Sequence, residues 1–259
     1  MLGYFVIVRN VMKNISKPSD LVFDHPRLAS IYDAFDSDRS DLIPYIELAN
    51  EHEAHDIIDL GCGTGVLALM LAEQGIHVTA VDPAENSLAV AQSKPNAKLV
   101  HWVHGDSEDL TDDSADMVIM TGNTAQAIVE DTNWMATLSY AKKSLRKDGH
   151  FVFETRDPEF EGWKEWNKEA SYRKLDIPMI GIVETWVDLQ NVSLPYVSFK
   201  WTWIFQKDGT TLTSDSRIRF RSRDEVEYDL NKVGFKITEV REAPDRVGKE
   251  FVFIAQRVD

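Results

Sequence analysis

Cysteine is almost missing from this chain: Cys62 is the single one in 259 residues. No disulfide can close within the chain, and a cysteine-based zinc site is argued against. No run reaches the roughly 18 consecutive apolar residues that a membrane-crossing helix needs. The start, MLGYFVIVRNVMKN, has only a short apolar core from Tyr4 to Val8, followed by Arg9. It lacks a basic leading region and a small-residue cleavage site, so it does not read as a signal peptide. Met12 offers a second start, and residues 1–11 read as a poorly packed extension or an upstream start. Positive charge is also scarce, with 28 Lys and Arg against 43 Asp and Glu and a net charge of −15. Such a surface repels phosphate backbones and disfavours nucleic acid as a substrate, leaving only a local basic groove as a route to it. There is no internal repeat, no low-complexity linker and no metal-ligand cluster, so no metal is expected. These absences predict a cytoplasmic protein without membrane attachment; oligomeric state leaves no signature.

What is present is an alternation of strand and helix patterns. Residues 27–53 read as one or two helices, RLASIYDAF and RSDLIPYIELANEH. DIIDL is a buried strand and GVLALMLAEQG a helix stopped by Gly75. HVTAVD is the next strand, and PAENSLAVAQSK a helix with Pro83 in its first turn. AKLVHWVHGD and ADMVIMTG are further strands, DTNWMATLSYAKKSLRKDG a long helix and HFVFET a fifth strand. This order predicts an α/β fold: a Rossmann-like, doubly wound, mostly parallel seven-stranded sheet, with ligands at the carboxyl ends of the strands. After Pro158 the pattern turns β-rich, with Asp208-Gly209 marking a hairpin. Ser222 and Glu225 then form a capping box that opens a helix ending at Gly234, and an antiparallel strand pair follows. The expected organisation is an N-terminal extension over 1–26, a core over 27–159 and 222–259, and a β-rich insertion over 160–221 before the last helix.

The stretch IIDLGCGTG, residues 57–65, is the most informative. A phosphate-binding loop needs Lys-Ser/Thr after its last glycine, and here Val66 and Leu67 follow. A dinucleotide loop is G-x-G-x-x-G, and the third glycine here falls one residue early. The observed pattern is D-x-G-x-G-x-G. It resembles motif I of the class I S-adenosylmethionine-dependent methyltransferases. Asp82 at the end of the second strand, HGDSEDL after the third and MTGNTAQ after the fourth agree with that family in order and spacing. The resemblance covers residues 28–158 well and the terminal helix and strand pair loosely.

The resemblance implies S-adenosylmethionine as cofactor and S-adenosylhomocysteine as its product. It implies Gly61, Cys62, Gly63, Thr64 and Gly65 around the methionine moiety, where glycines let the backbone approach closely. Asp59 is implied near the amino group, Asp82 with Pro83 at the ribose, Asp106 at the adenine amino group and Ser107 beside the ring. Thr121, Gly122 and Gln126 are implied along the methyl-transfer region, and Tyr32 at the methionine end. Cys62 contributes only backbone, since no partner base accompanies it.

Methyl transfer needs alignment of acceptor and methyl, and deprotonation where the acceptor requires it. No dedicated base stands out. Asn123 is a candidate for orienting the acceptor. Arg156 is a candidate for holding a substrate carboxylate, or a structural partner of Asp157 or Glu154, the latter slightly favoured. Neither the Asn/Asp-Pro-Pro-Tyr/Phe run of base-amino methyltransferases nor a Pro-Cys nucleophile is present, so a small-molecule acceptor is expected. Five of the seven tryptophans, Trp163, Trp166, Trp186, Trp201 and Trp203, fall in the insertion. Val197, Phe199, Trp201, Trp203 and Phe205 share one strand face, either as core or as a lid over the acceptor, with Trp163, Trp201 and Trp203 as substrate candidates. Arg217, Arg219 and Arg221 point the other way from Ile218 and Phe220, and solvated pairing with acids is the favoured reading. An NAD-dependent oxidoreductase and a non-catalytic cofactor-binding protein remain the alternatives.

Overall fold

The computed structural model describes residues 19–259; the expectations for residues 1–11, and for 1–18 of the extension, lie outside the described residues. Eleven strands and ten α-helices make up this part. The strands are β1 (Asp56–Leu60), β2 (His77–Asp82), β3 (Val100–His104), β4 (Ala115–Met120), β5 (Leu145–Arg156), β6 (Arg173–Ile177), β7 (Gly181–Ser193), β8 (Tyr196–Phe205), β9 (Thr210–Arg219), β10 (Phe235–Glu242) and β11 (Glu250–Arg257). The helices are α1 (Leu21–Asp24), α2 (Pro26–Ala29), α3 (Tyr32–Phe35), α4 (Ile43–Glu51), α5 (Val66–Glu73), α6 (Glu85–Ser93), α7 (Thr124–Ala127), α8 (Asp131–Ser144), α9 (Lys168–Ser171) and α10 (Arg223–Val233).

Seven strands form one sheet in the order β10-β11-β5-β4-β1-β2-β3, and β6-β7-β8-β9 form a second, antiparallel sheet. In the large sheet, β11 runs antiparallel to both β5 and β10, and the other neighbours are parallel. The expected mostly parallel seven-stranded fold with a terminal antiparallel pair is thus present. Alternation along the strands fills both faces. Ile57, Val78, Ala80, Met117, Ile119 and Val152 pack with α4 and α5. Ile58, Leu60, Val118, Met120, Phe151, Phe153 and Phe253 pack with α8 and α10, around the fully buried Trp134. Chain order reverses between β1 and β4, so the loops after these two strands part company, which is where ligands bind in such sheets. At the opposite strand ends, Arg146 bridges Asp56 and Asp116 at 2.9 and 2.5 Å, closing the far edge of the layer.

The helix ends follow local chemistry. Gly75 (φ +88°) ends α5 in the left-handed region, and Gly234 (φ +94°) caps α10. The Ser222–Glu225 capping box is formed reciprocally. Other readings need correction. Pro83 precedes the cap residue Ala84, outside the first turn of α6, because the Asp82 carboxylate takes the Ala84 amide and starts the helix one step later. RLASIYDAF is not one helix but parts of α2 and α3, separated at Ser30 and Ile31, the latter at φ −109° and ψ −3°. Structure also begins before residue 27, since Val22 on α1 packs with Trp203. The insertion holds four strands, β6 to β9, in one antiparallel sheet. Among the described residues no helix is long and apolar enough to cross a membrane.

Candidate functional site

The loop after β1 is fixed to the neighbouring strand before any side chain acts. The amides of Gly61 and Cys62 donate to the Val81 carbonyl at 2.8 and 3.1 Å. Gly65 has φ +76°, and a β-carbon there would lie 2.4 Å from the Trp102 ring. Only glycine lets this backbone turn under Trp102 while keeping the left-handed conformation. At Gly61 a β-carbon would lie 2.5 Å from the Thr124 side chain, so the β1 and β4 loops meet at the switch point. Trp102 is itself held, its indole N–H donating to the Ala97 carbonyl at 2.8 Å. Trp102 and Thr124 carry no motif, and sequence reasoning passes over them.

Asp59 and Asp82 end at this turn in different states. The Asp82 carboxylate accepts the Gly63 amide at 2.7 Å and the Ala84 amide at 2.8 Å. Asp59 is 1 % exposed, and neither of its oxygens has a hydrogen-bond partner. Burial, and then the neighbouring Asp82 charge, push its pKa up to about 7, against the weaker pull of the Ala68 backbone amide and of the Arg39 charge. A buried carboxylate left unpaired costs stability, so the site is built for a cationic or hydrogen-bond-donating group. The Cys62 thiol is raised by burial and by both aspartates, which keeps it from acting as a thiolate.

The remaining sequence candidates surround this pair. Asp106 caps a short turn, its carboxylate accepting the Glu108 amide at 2.9 Å. Ser107 is turned inward, its hydroxyl 3.2 Å from that of Thr137 on α8. Thr121 accepts the Thr124 amide and hydroxyl, and Gly122 and Asn123 both have positive φ, so this loop curls beside Gly61. Above it, α3 latches onto the glycine turn. Thr64 donates to Asp33 at 2.6 Å, Lys94 pairs with Asp33 at 2.5 Å, and Lys94 donates to the Thr64 carbonyl at 2.7 Å. Asp33 and Lys94 are far apart in sequence and leave no local signal.

Asn123 is not free to orient a ligand through its amide N–H groups. It is 4 % exposed, with Nδ2 3.2 Å from both Glu250 oxygens and its backbone amide donating to Glu154 at 3.1 Å. Its Oδ1 is buried without a partner. Glu154 and Glu250, 1 % and 3 % exposed, form an acid pair at the ends of β5 and β11. Tyr45 donates to Glu154, and Arg246 reaches Glu250 at 3.0 Å and Glu154 at 3.5 Å. Burial, then Glu154, raises the Glu250 pKa. The expected partners of Arg156 need correction: it pairs with Glu250, at 3.6 Å, and with Gln126, at 2.9 Å. The antiparallel register sets Glu250 directly across from Arg156, while Asp157 is occupied in capping its own turn.

The tryptophan-rich strand face divides between two clusters. Val197 joins Trp163, Ile218 and Phe220, with Phe199 and Trp166 packed at its edge. Trp203 and Phe205 join Val22, Leu28 and Ile31, with Trp201 and Tyr32 at the edge of that cluster. Trp163 and Trp203 are buried at 3 % and 5 % exposed, whereas Trp201, Trp166, Phe199 and Tyr32 are half-buried. The arginine stripe departs from the solvated expectation. Arg217 is exposed, but Arg219 and Arg221 are buried. Arg221 donates to the Ala125 and Ile128 carbonyls and lies 4.6 Å from the Trp134 ring, while Arg219 pairs with Asp131. They face the α7–α8 segment, so they fasten the insertion to the core instead of pointing to water.

Comparison with known proteins agrees with this geometry. Residues 57–149 match a family described as "Methyltransferase domain". The cypemycin N-terminal methyltransferase of a Streptomyces species is 35% identical over 118 residues, 45% of this chain and 48% of that protein. The chain thus spans about half the length of the curated relatives it matches. A solved S-adenosylmethionine-dependent methyltransferase from Clostridium acetobutylicum superimposes with a TM-score of 0.71 at 18% identity, covering 90% of this chain and 98% of that one. CalS10, an amino pentose methyltransferase of Micromonospora echinaspora solved with S-adenosylmethionine bound, gives 0.67 at 18%, covering 88% and 97%. Residues 57–149 thus carry a methyltransferase domain match, and the described chain shares its fold with solved S-adenosylmethionine-dependent methyltransferases.

Proposed function

We propose that this protein transfers the methyl group of S-adenosylmethionine to a small-molecule acceptor. The observation that carries the reading is Asp59, a buried carboxylate with no partner beside a glycine turn that admits close backbone approach. Asp59 would take the amino group of the cofactor, Asp82 the ribose hydroxyls and Asp106 the adenine edge, with Gly61, Gly63 and Gly65 leaving room along the methionine moiety. When bound, the cofactor supplies an activated methyl on a cationic sulfur. The protein's own part is alignment and exclusion of water. Residues 160–221 and α1–α3 together serve as a cover, with Trp201, Trp166 and Tyr32 facing the acceptor. The single cysteine fits a reducing cytoplasm, and the net charge of −15 disfavours nucleic acid.

Calorimetry with S-adenosylhomocysteine tests the reading. Binding with a dissociation constant on the order of micromolar is expected, strongly weakened by Asp82→Ala. Absence of binding by the intact, folded protein overturns it.

A further inference from the structure

Two arginines share the buried acids Glu154 and Glu250, and they share them unequally. Arg246 reaches Glu250 at 3.0 Å and Glu154 at 3.5 Å, and its Nε lies 2.9 Å from Asp245. Burial works against its charge, but Glu154, Glu250 and Asp245 outweigh burial and hold its pKa up. Arg156 has the remainder: Nε 3.6 Å from Glu250, and Nη1 donating to the neutral Gln126. Burial pulls its pKa down, against the pull of Glu250. Among the described residues Arg156 Nη2 makes no hydrogen bond, and the adjacent Asp157 carboxylate is occupied by the Glu159 amide. The Arg156 side chain nevertheless keeps 33% of its surface open.

The position of this under-compensated cation is specific. It ends β5 beside β4, bonds to α7 through Gln126 and lies 5.8 Å from the Trp166 ring of the insertion. Tyr32 of α3 lies close enough to feel its charge. Trp166 is packed edge-on against Phe199 at 4.8 Å, and Trp201 borders the same sheet face. Gln126 after β4 and the half-buried Trp166 of the insertion therefore meet at one guanidinium, with Tyr32 of α3 within reach of its charge. A guanidinium fork short of acid partners, in a low-dielectric rim, matches a planar carboxylate.

We propose that Arg156 recognises a carboxylate on the methyl acceptor, which is an aromatic or apolar acid whose ring packs against Trp166 and Tyr32. This specificity rests on the methyltransferase reading above. On a protein of net charge −15 such an anion site must be local, and the short screening length in physiological salt lets one arginine serve it.

The test uses the full chain saturated with S-adenosylhomocysteine and titrated with indole-3-propionate and 3-phenylpropionate, each beside its primary amide, followed by isothermal titration calorimetry. The acids are expected to bind at least about tenfold more tightly than the amides, the scale of one charge-assisted pair. Arg156→Gln is expected to remove that preference without altering S-adenosylhomocysteine affinity, and Arg156→Lys to reduce it, with thermal melts confirming folded variants. If Arg156→Gln does not fold, the Arg156→Lys reduction alone decides. Equal binding of acids and amides, no binding of either, or an undiminished preference in the variants overturns the assignment. Failure of S-adenosylhomocysteine itself to bind overturns the methyltransferase reading and this inference with it.

Discussion

Asp59 and Asp82 end adjacent parallel strands, yet one carboxylate is orphaned while the other holds two backbone amides. The orphan makes a pH prediction with a definite sign. Its folded pKa of about 7 lies above the ordinary 3.8. Its contribution to stability is therefore complete below about pH 4 and is lost as pH rises through 7, by up to roughly 4 kcal/mol. Cofactor binding runs the opposite way, because the ionised carboxylate is the form that attracts an ammonium group. Affinity for S-adenosylhomocysteine should rise between pH 6 and 8, and Asp59→Asn should flatten that rise, lower affinity and raise the melting temperature at pH 8. A variant that loses stability at pH 8 would contradict the orphaned state.

Gly65 and Trp102 make a steric prediction. Gly65→Ala places a methyl 2.4 Å from the indole at a positive φ. A loss of about 1–3 kcal/mol in stability is expected, from strain and overpacking together. Trp102→Ala in the same chain should recover only the overpacking part. Full recovery by the double variant, measured by denaturant unfolding, would remove backbone conformation as the cause.

The Asp33–Lys94–Thr64 latch predicts a kinetic effect. Lys94→Met removes the cation that bridges α3 to the glycine turn. Dissociation of S-adenosylhomocysteine, followed by stopped flow, should accelerate about tenfold, the scale of one partly buried ion pair. The fold should persist, because the contact lies at a rim. An unchanged off-rate would mean that α3 does not gate the turn.

Trp201 separates lid from core. Trp201→Ala should raise the acceptor KM more than the cofactor KM, since the ring is half-buried beside Tyr32. Trp203→Ala, by contrast, should cost about 3–5 kcal/mol of stability, because Trp203 sits inside the cluster. Equal losses of stability from both, without the KM split, would make the whole face core.

The parts legible from sequence are those whose cause is local. Val66–Glu73 announces a helix and Gly75 its end, and the glycine turn with Asp59 and Asp82 lies within one βαβ unit. What sequence did not disclose is paired over long range. Glu154, Glu250, Tyr45 and Arg246 each look like ordinary residues until β11 is laid antiparallel beside β5. Arg219 and Arg221 read as a solvated stripe because alternation reports which face a residue takes, not what covers that face.

The latch of α3 on the glycine turn has a consequence for turnover. The proposed cofactor bed at the glycine turn is tied to α3, whereas Arg156, one third exposed, lies near Trp166 of the insertion. Under the proposed function the donor is expected to enter first and its product to leave last, with the acceptor exchanging at the rim. Product-inhibition kinetics should show a compulsory order, with S-adenosylhomocysteine competing only against S-adenosylmethionine.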